Sequence, residues 1–424
     1  MARIITREMT IMVNKFKKLL SIATIASMIN GAAIAQEKNK TLGDSSSMAN
    51  DKPQILSSAS TEFSLRLFQQ FAPKSDSNVV ISPFSAYLAL SMALNGAAGS
   101  TSQQMAKAMG LGSATIEMLN AQNNALLAKL TNTNSKIQLE IGNAIFSDNA
   151  TPFRKRFLDL CQQKYDAEIK NVSFADPDTV DSINSWCKNK TRGKIPNIVS
   201  KLGRREKMVI LNAVYFKGSW ASPFKKALTQ DDDFTTLTGG KTTIKMMNQV
   251  ENLSYFQNAS FQAVSVPYKS NRQSLYIFLP NKKTKWPMFL AEFTQTNWNE
   301  WLSKFSRAKV NLSLPRFNIR FSQDLSSGLE KIGMEEAFDS ERANFSNMIT
   351  PPARAWISRV LQKTYIDVNE EGTEAAAATA VIMGATMAMV QEPPIEFRVD
   401  RPFVIALMDN ESKEILFLGS VVKP

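Results

Sequence analysis

The sequence predicts one large α+β domain, spanning residues 59–424. Three observations carry that expectation: apolar residues recur at helical spacing in the first half, runs of β-formers fill the second, and no Gly/Pro-rich linker or internal repeat divides them. With 44% apolar and 21% charged residues among 424, the chain has the mixture of a packed globular protein and not of a disordered one.

The N-terminus reads as an address. Arg3, Arg7, Lys15, Lys17 and Lys18 precede an apolar run from Leu19 to Ala35, and Ala33-Ile34-Ala35 fits a signal-peptidase site. Residues 1–35 are therefore a predicted signal peptide, and the mature chain is expected to be secreted or periplasmic. Ser21, Thr24, Ser27, Asn30 and Gly31 interrupt the run, which argues against a membrane anchor. Residues 36–58 are polar and aperiodic and predict a flexible leader.

From Ser60 the periodicity begins. Phe63, Leu67 and Phe71, with Leu65 and Phe68 widening the stripe, predict a helix, and similar patterns follow at Ser85–Leu94, Ile116–Leu130, Phe153–Tyr165, Thr179–Lys190 and Asp324–Ile332. Strands are predicted at Met208–Phe216, Thr242–Met247, Ala263–Tyr268, Ser274–Leu279, Val310–Leu314 and Val360–Val368. A closing hairpin is predicted from Phe403–Met408, through a turn at Asp409-Asn410, into Ile415–Val422.

Composition excludes much chemistry. Histidine is absent, which removes the usual general base of Ser and Cys hydrolases and the commonest zinc ligand, so neither an enzyme nor a metal or other cofactor is expected. Cys161 and Cys187 lie on helical patterns and read as two buried thiols, although export leaves a single bridge open. The formal net charge of +12 falls to about +8 after residue 35. The cations lie in scattered pairs such as Lys225-Lys226, Arg204-Arg205 and Lys282-Lys283, the pattern of a solvated surface with no nucleic-acid motif.

One segment stands apart. Ala375 to Val390 is uncharged, rich in Ala and Met, and follows Asn369-Glu370-Glu371. It is compatible with a buried helix, or with an exposed segment kept small because it must at some stage become a strand inside a sheet.

Glu370-Glu371-Gly372-Thr373-Glu374-Ala375-Ala376-Ala377-Ala378-Thr379 resembles the hinge of an inhibitory serpin. The resemblance is collinear over roughly residues 60–424. It includes Ser82-Pro83-Phe84-Ser85, Gly96-Ala97-Ala98-Gly99-Ser100-Thr101, Ile183-Asn184-Ser185-Trp186, Leu211-Asn212-Ala213-Val214-Tyr215-Phe216 through Trp220, Leu314-Pro315-Arg316-Phe317, Asn344-Phe345-Ser346 and Arg401-Pro402-Phe403.

The resemblance implies the serpin fold, with three β-sheets, eight or nine helices and an exposed reactive loop, here about residues 370–395, in an exported, inhibitory, prokaryotic member. It implies a serine protease as partner, trapped when the cleaved loop enters the main sheet. It places the reactive bond at Thr386–Met387, whose small and flexible apolar surroundings suit elastase-like or subtilisin-like targets, while the same loop could serve against a cysteine protease. Ser82, Ser85 and Asn212 match positions beneath the opening sheet, and Trp220 matches the point of loop entry. Gln362 stands where the family often has His, so pH-sensitive opening through that position is not expected. The helix Ile116–Leu130 carries Glu117 and only Lys129, which does not support heparin-type activation. A monomer is expected. The alternative is a non-inhibitory carrier or chaperone, whose hinge would carry bulky or charged residues or Pro.

Overall fold

The computed structural model of the protein describes residues 56–72, 76–131, 137–373 and 393–424. The central sheet has six strands in the order β10 (Phe317–Asp324), β11 (Ile357–Asn369), β12 (Gly372–Thr373), β4 (Met208–Ser219), β2 (Ile137–Asp148) and β3 (Glu168–Val172), with β11 also paired directly to β4. The β11–β4 and β2–β3 pairs are parallel, whereas β10–β11 and β2–β4 are antiparallel. The apolar sequence of β4 is buried almost throughout, as a strand covered on both faces requires.

The second sheet runs β1 (Val79–Ile81), β15 (Ile415–Val421), β14 (Phe403–Asp409), β8 (Gln273–Pro280), β7 (Phe261–Pro267), β6 (Lys241–Gln257), β9 (Ser306–Pro315) and β13 (Ile395–Arg398), with β5 (Gln230–Thr235) on the start of β6. Two of the three expected sheets are joined here into one ladder. The 17-residue β6 pairs with β5 over Lys241–Met246 and with β7 over Ser254–Gln257, so one strand serves both. Its predicted extent, Thr242–Met247, covered only the first part.

Helices position the central sheet from both sides. The first, α1 (residues 56–71), starts inside the expected leader because Leu56 is already buried. Beneath the sheet lies α2 (Pro83–Gly96), buried nearly all round, its Ala and Ser residues allowing close approach to β4 and β2. Three others, α3 (Gly99–Ala108), α4 (Ile116–Thr131) and α5 (Lys155–Tyr165), complete this side, and α6 (Asp178–Lys190) lies on the opposite face against β2. The chain from 191 to 207 continues from α6 as a strap. Its Ile195, Ile198, Val199 and Leu202 pack with Val209, Leu211 and Tyr215 of β4 and with Leu361 and Tyr365 of β11.

The helix expected at Asp324–Ile332 is shorter, Ser326–Leu329, and runs into a π turn at Glu330–Met334, because Asp324 still pairs in β10. Strand β2 is not among the strands the sequence predicts. A Cβ at Gly142 would stand 3.0 Å from Lys190 Cβ and 3.4 Å from the Trp186 ring, so α6 packs closely over the strand at this point. The two cysteines are free and belong to cores on opposite faces of the central sheet, Cys161 in α5 and Cys187 in α6. Burial pushes both thiols up to about 12. Among the described residues no helix is long and apolar enough to cross a membrane.

The turn after β14 buries an acid. Glu414 is 2% exposed and accepts a hydrogen bond from Ser60 Oγ of α1 at 2.6 Å, with no ion pair among the described residues. Burial pushes its pKa from 4.5 up to about 8, the Ser60 hydrogen bond opposes this, and the Asp409 charge adds to it. The folded chain thus holds a proton that the unfolded chain releases. Its stability contribution is present at low pH, declines as pH rises from about 4.5 to about 8, and is level above that. Glu414→Gln, neutral at every pH, is expected to raise stability at pH 8 by on the order of a few kcal/mol. Melting curves from pH 5 to 8 check this: the difference between variant and parent should widen with pH, and a constant difference would contradict a buried, titrating Glu414.

Candidate functional site

The candidate site is the seam between the parallel strands β4 and β11 and the hinge that enters it. The two strands pair from Ile357 opposite Met208 up to Tyr365 opposite Tyr215. Beyond those tyrosines they part, and β12 fills the opening. Thr373 lies opposite Val368 on one side and Gly218 on the other, and Gly372 opposite Asn369 and Ser219. Two residues of the expected hinge, Gly372 and Thr373, are thus strand residues of the central sheet.

Each residue around the opening has a physical task. Thr373 is fully buried and its Oγ1 shares a hydrogen bond of 2.7 Å with the Tyr268 hydroxyl. The Tyr268 ring stacks on Trp220 at 4.5 Å and meets Phe216 edge-on at 5.0 Å. Burial pushes the Tyr268 phenol well above its ordinary pKa, so it stays neutral. Trp220 donates its indole N–H to Asn369 O at 2.9 Å and its backbone N–H to Glu371 O at 3.0 Å. It therefore holds both ends of the turn that reverses the chain.

Glu370 and Glu371 form that turn. Glu370 is 2% exposed and accepts from Arg316 Nη2 at 2.5 and 2.6 Å and from Thr229 Oγ1 at 2.8 Å, while Phe224 N–H donates to its carbonyl at 2.8 Å. Burial pushes its carboxyl pKa up, but the Thr229 and Arg316 hydrogen bonds outweigh that and hold it below the usual range. Its contribution is present at neutral pH and is lost as pH falls through that lowered value. The more exposed Lys226 Nζ donates to Glu371 at 2.7 Å.

Lower in the seam, the sequence-picked residues Ser82, Ser85, Asn212 and Gln362 come together as one buried polar layer. Gln362 Oε1 accepts from Ser82 N–H at 2.8 Å, and its Nε2 donates to Ser82 O at 2.8 Å and to Asn212 Oδ1 at 2.5 Å. The last bond crosses the seam from β11 to β4. Asn212 Nδ2 donates to Ser85 Oγ and to Asn143 Oδ1 of β2, so three strands and α2 share the layer. Gln362 both donates and accepts on Ser82 without a titrating group.

Trp220 is not part of this layer but lies at the hinge. Nothing in the sequence marked Asn143, Tyr268, Thr229 or Arg316 for these positions, although Arg316 sits in the quoted Leu314–Phe317 motif. Glu374, Ala375, Ala376, Ala377, Ala378 and Thr379 of the predicted hinge, and Thr386 and Met387 of the predicted reactive bond, lie outside the described residues.

The backbone at position 372 requires glycine. Its φ is +146°, and a Cβ would stand 2.0 Å from Gly218 O and 2.6 Å from Ser219 Cα. Gly372→Ala is expected to drive β12 out of the sheet. Amide exchange in a peptide covering 366–373 should quicken at least tenfold, and unchanged protection would show that the close approach to Gly218 is not needed.

The family described as Serpin (serine protease inhibitor) matches residues 58–424. The chain is 33% identical to the human leukocyte elastase inhibitor and 34% identical to the Xenopus tropicalis protein of that name, each over 87% of this chain and 99% of the relative. Its fold is similar to that of the thermophilic serpin tengpin in the native state, with a TM-score of 0.81 at 32% identity, covering 87% of this chain and 94% of that one. It is also similar to human thyroxine-binding globulin, with a TM-score of 0.81 at 26% identity, covering 88% and 99%. With the family matched over residues 58–424, the chain belongs to the serpins, a family of protease inhibitors and not of enzymes.

Proposed function

We propose that the protein traps serine proteases as a single-use substrate whose cleaved loop becomes a new strand between β4 and β11. The observation that carries this reading is the double register of β12, which pairs at once with both strands that must separate. Continuing both registers residue by residue puts each later loop residue opposite one β4 and one β11 residue that already face each other. Ala376 would enter between Tyr215 and Tyr365, Ala378 between Ala213 and Lys363, and Thr379 between Asn212 and Gln362.

The side chains fit that path. Alternation sends Thr373, Ala375, Ala377 and Thr379 to the inner face, toward α2, and sends Glu374, Ala376 and Ala378 to the outer face. Thr379 would reach the polar layer with a hydroxyl able to replace part of the Gln362–Asn212 bond. Glu374 would lie beside Lys217. The outer residues under the strap are alanines, the size that a closely covered face admits.

The protease serine attacks the Thr386 carbonyl, the Thr386–Met387 bond breaks, Met387 leaves as a free amine, and Thr386 is left as an ester on the enzyme. Water would hydrolyse this ester. Insertion carries the tethered protease away before that happens, so inhibition is a race between two rates. The absence of Arg and Lys between Ala375 and Gln391, together with relatives named elastase inhibitors, supports elastase-like or subtilisin-like targets over trypsin-like ones. The chain would act as a monomer exported through residues 1–35. A carrier role has the likeness to thyroxine-binding globulin in its favour, but an Ala-rich hinge with its first two strand residues, Gly372 and Thr373, already paired supports insertion instead.

Thr373→Arg would place a long cation against Tyr268 in a fully buried site, at a cost of several kcal/mol unless the hinge leaves the sheet. Insertion should then slow by orders of magnitude. The number of inhibitor molecules consumed per protease inactivated is expected to rise more than tenfold, while Thr373→Ser stays near the parent and both are cut at the same bond. An unchanged ratio for Thr373→Arg would sink the insertion mechanism. The released C-terminal fragment should begin at Met387, and a start outside residues 385–390 would overturn the assigned bond.

A further inference from the structure

We propose that Tyr215 and Tyr365 form a latch across the β4–β11 seam, and that their stacked contact sets how fast a new strand enters there. The proposal rests on the insertion reading above and names what regulates it.

The place of the pair in the ladder carries the inference. Tyr365 lies opposite Tyr215 in the last rung at which the two strands pair directly, and β12 ends above it with Thr373 opposite Gly218 and Val368. Continued in that register, Glu374 and Ala375 enter where β4 and β11 no longer pair, and Ala376 meets the tyrosines. Theirs is the first closed rung on the path.

The two rings are buried and stacked, with centroids 6.1 Å apart and 26° between their planes, and the apolar residues of the strap pack with both. Aromatic pairs at such a distance attract one another beyond their burial. A strand placed between β4 and β11 would double their spacing from roughly 4.8 Å to roughly 9.6 Å. The rings stand on the strands and part with them, so the stack is lost.

What the loop gives back differs from rung to rung. The backbone groups of both strands gain new ladder partners, and at the Gln362–Asn212 bond Thr379 brings a hydroxyl. At the tyrosine rung Ala376 brings one methyl in place of a contact between two rings. Further down the outer face less spans the seam: Lys363 lies opposite Ala213 and turns its amine to Asn197 of the strap at 2.7 Å, and Leu361 lies opposite Leu211. The tyrosine pair is therefore the first contact to break and the one for which the loop returns least.

Two cations over the Tyr365 ring belong to different moving parts. Arg320 lies 5.6 Å and Lys194 5.7 Å from the ring centroid. Arg320 is the partner of Tyr365 in β10, which pairs with β11 along its length, so it travels with the ring. The same holds for Asn318, whose Nδ2 donates to the Tyr365 hydroxyl at 2.7 Å. Lys194 sits on the strap, which packs on Tyr215 and runs directly into β4 at Met208. Parting the strands thus breaks the Lys194 contact and keeps the Arg320 contact, although the two distances are nearly equal.

The test uses the full mature protein and a fluorescent peptide of residues 373–386, whose uptake into the intact chain is followed by anisotropy. Tyr215→Leu and Tyr365→Leu are each expected to quicken uptake roughly fivefold, and Tyr365→Phe, which keeps the ring, to leave it within about twofold. The double Leu variant should be no more than about twofold faster than the faster single, because either change alone removes the stack. A double whose acceleration is the product of the two singles would overturn the latch. Lys194→Gln should quicken uptake roughly threefold and Arg320→Gln leave it within about twofold. Equal effects of these two surface changes would overturn it as well. Once loaded with peptide, the Leu variants should melt with the parent, since the rings are apart in that state; a loss as large as in the intact protein would mark a merely structural pair. Absence of uptake by the parent would overturn the latch together with insertion. Uptake at the expected rates without a covalent adduct with any protease would sink the trapping reading and leave the latch standing, whereas adducts with unchanged rates in the Leu variants would do the reverse.

Discussion

The direct pairing of β4 with β11 is the interaction on which the rest of the structure depends. A parallel pair in the middle of a sheet, buried on both faces, is ordinarily among the last parts of a fold to open. Here its upper end is already open and wedged by Gly372-Thr373, and its middle is crossed by a side-chain bond between Gln362 and Asn212. A polar layer at this depth can exchange one partner for another without leaving a buried group unpaired, whereas an apolar core offers no such exchange. The seam is thus closed by contacts that an incoming strand can replace.

The forces that hold the hinge are unequal. The Lys226–Glu371 pair is largely exposed on the lysine side and adds little, in the way of most surface pairs. Glu370 is different: buried, accepting from both Arg316 and Thr229, it would be left as an uncompensated charge if the turn moved. The Trp220 bonds to Asn369 and Glu371 fix the same turn from the other side. The turn is consequently held firmly from both sides. On the outer face the strap closes the seam through four apolar side chains, Ile195, Ile198, Val199 and Leu202.

Much of this was legible in the sequence, and the limits have physical causes. The burial of β4 on both faces makes it an unbroken apolar run, and α2 and α6 announce themselves by composition and period. The polar layer was half legible: Ser82, Ser85, Asn212 and Gln362 follow from the family resemblance, but Asn143 joins them only because β2 pairs antiparallel with β4, a partner some 70 residues away in the chain. β2 itself is obscured by Gly142, whose small size answers to Trp186 and Lys190 packing above it and not to any local turn. Tyr268 and Thr229 were invisible for a similar reason, since what makes them matter is the position of Thr373 and Glu370 across tertiary contacts. The two smaller sheets merge because β6 is long, a length its polar middle disguises.

The central claim is that the register of Gly372-Thr373 is the register in which the whole loop enters. A crystal structure of the protein cleaved in its loop tests this most directly. The account predicts a strand continuous with β12, separating β4 from β11, with Thr379 level with Asn212 and Gln362 and Ala376 between Tyr215 and Tyr365. A cleaved loop left outside the sheet, or inserted one residue out of step so that Glu374 and the outer alanines face α2, would contradict it.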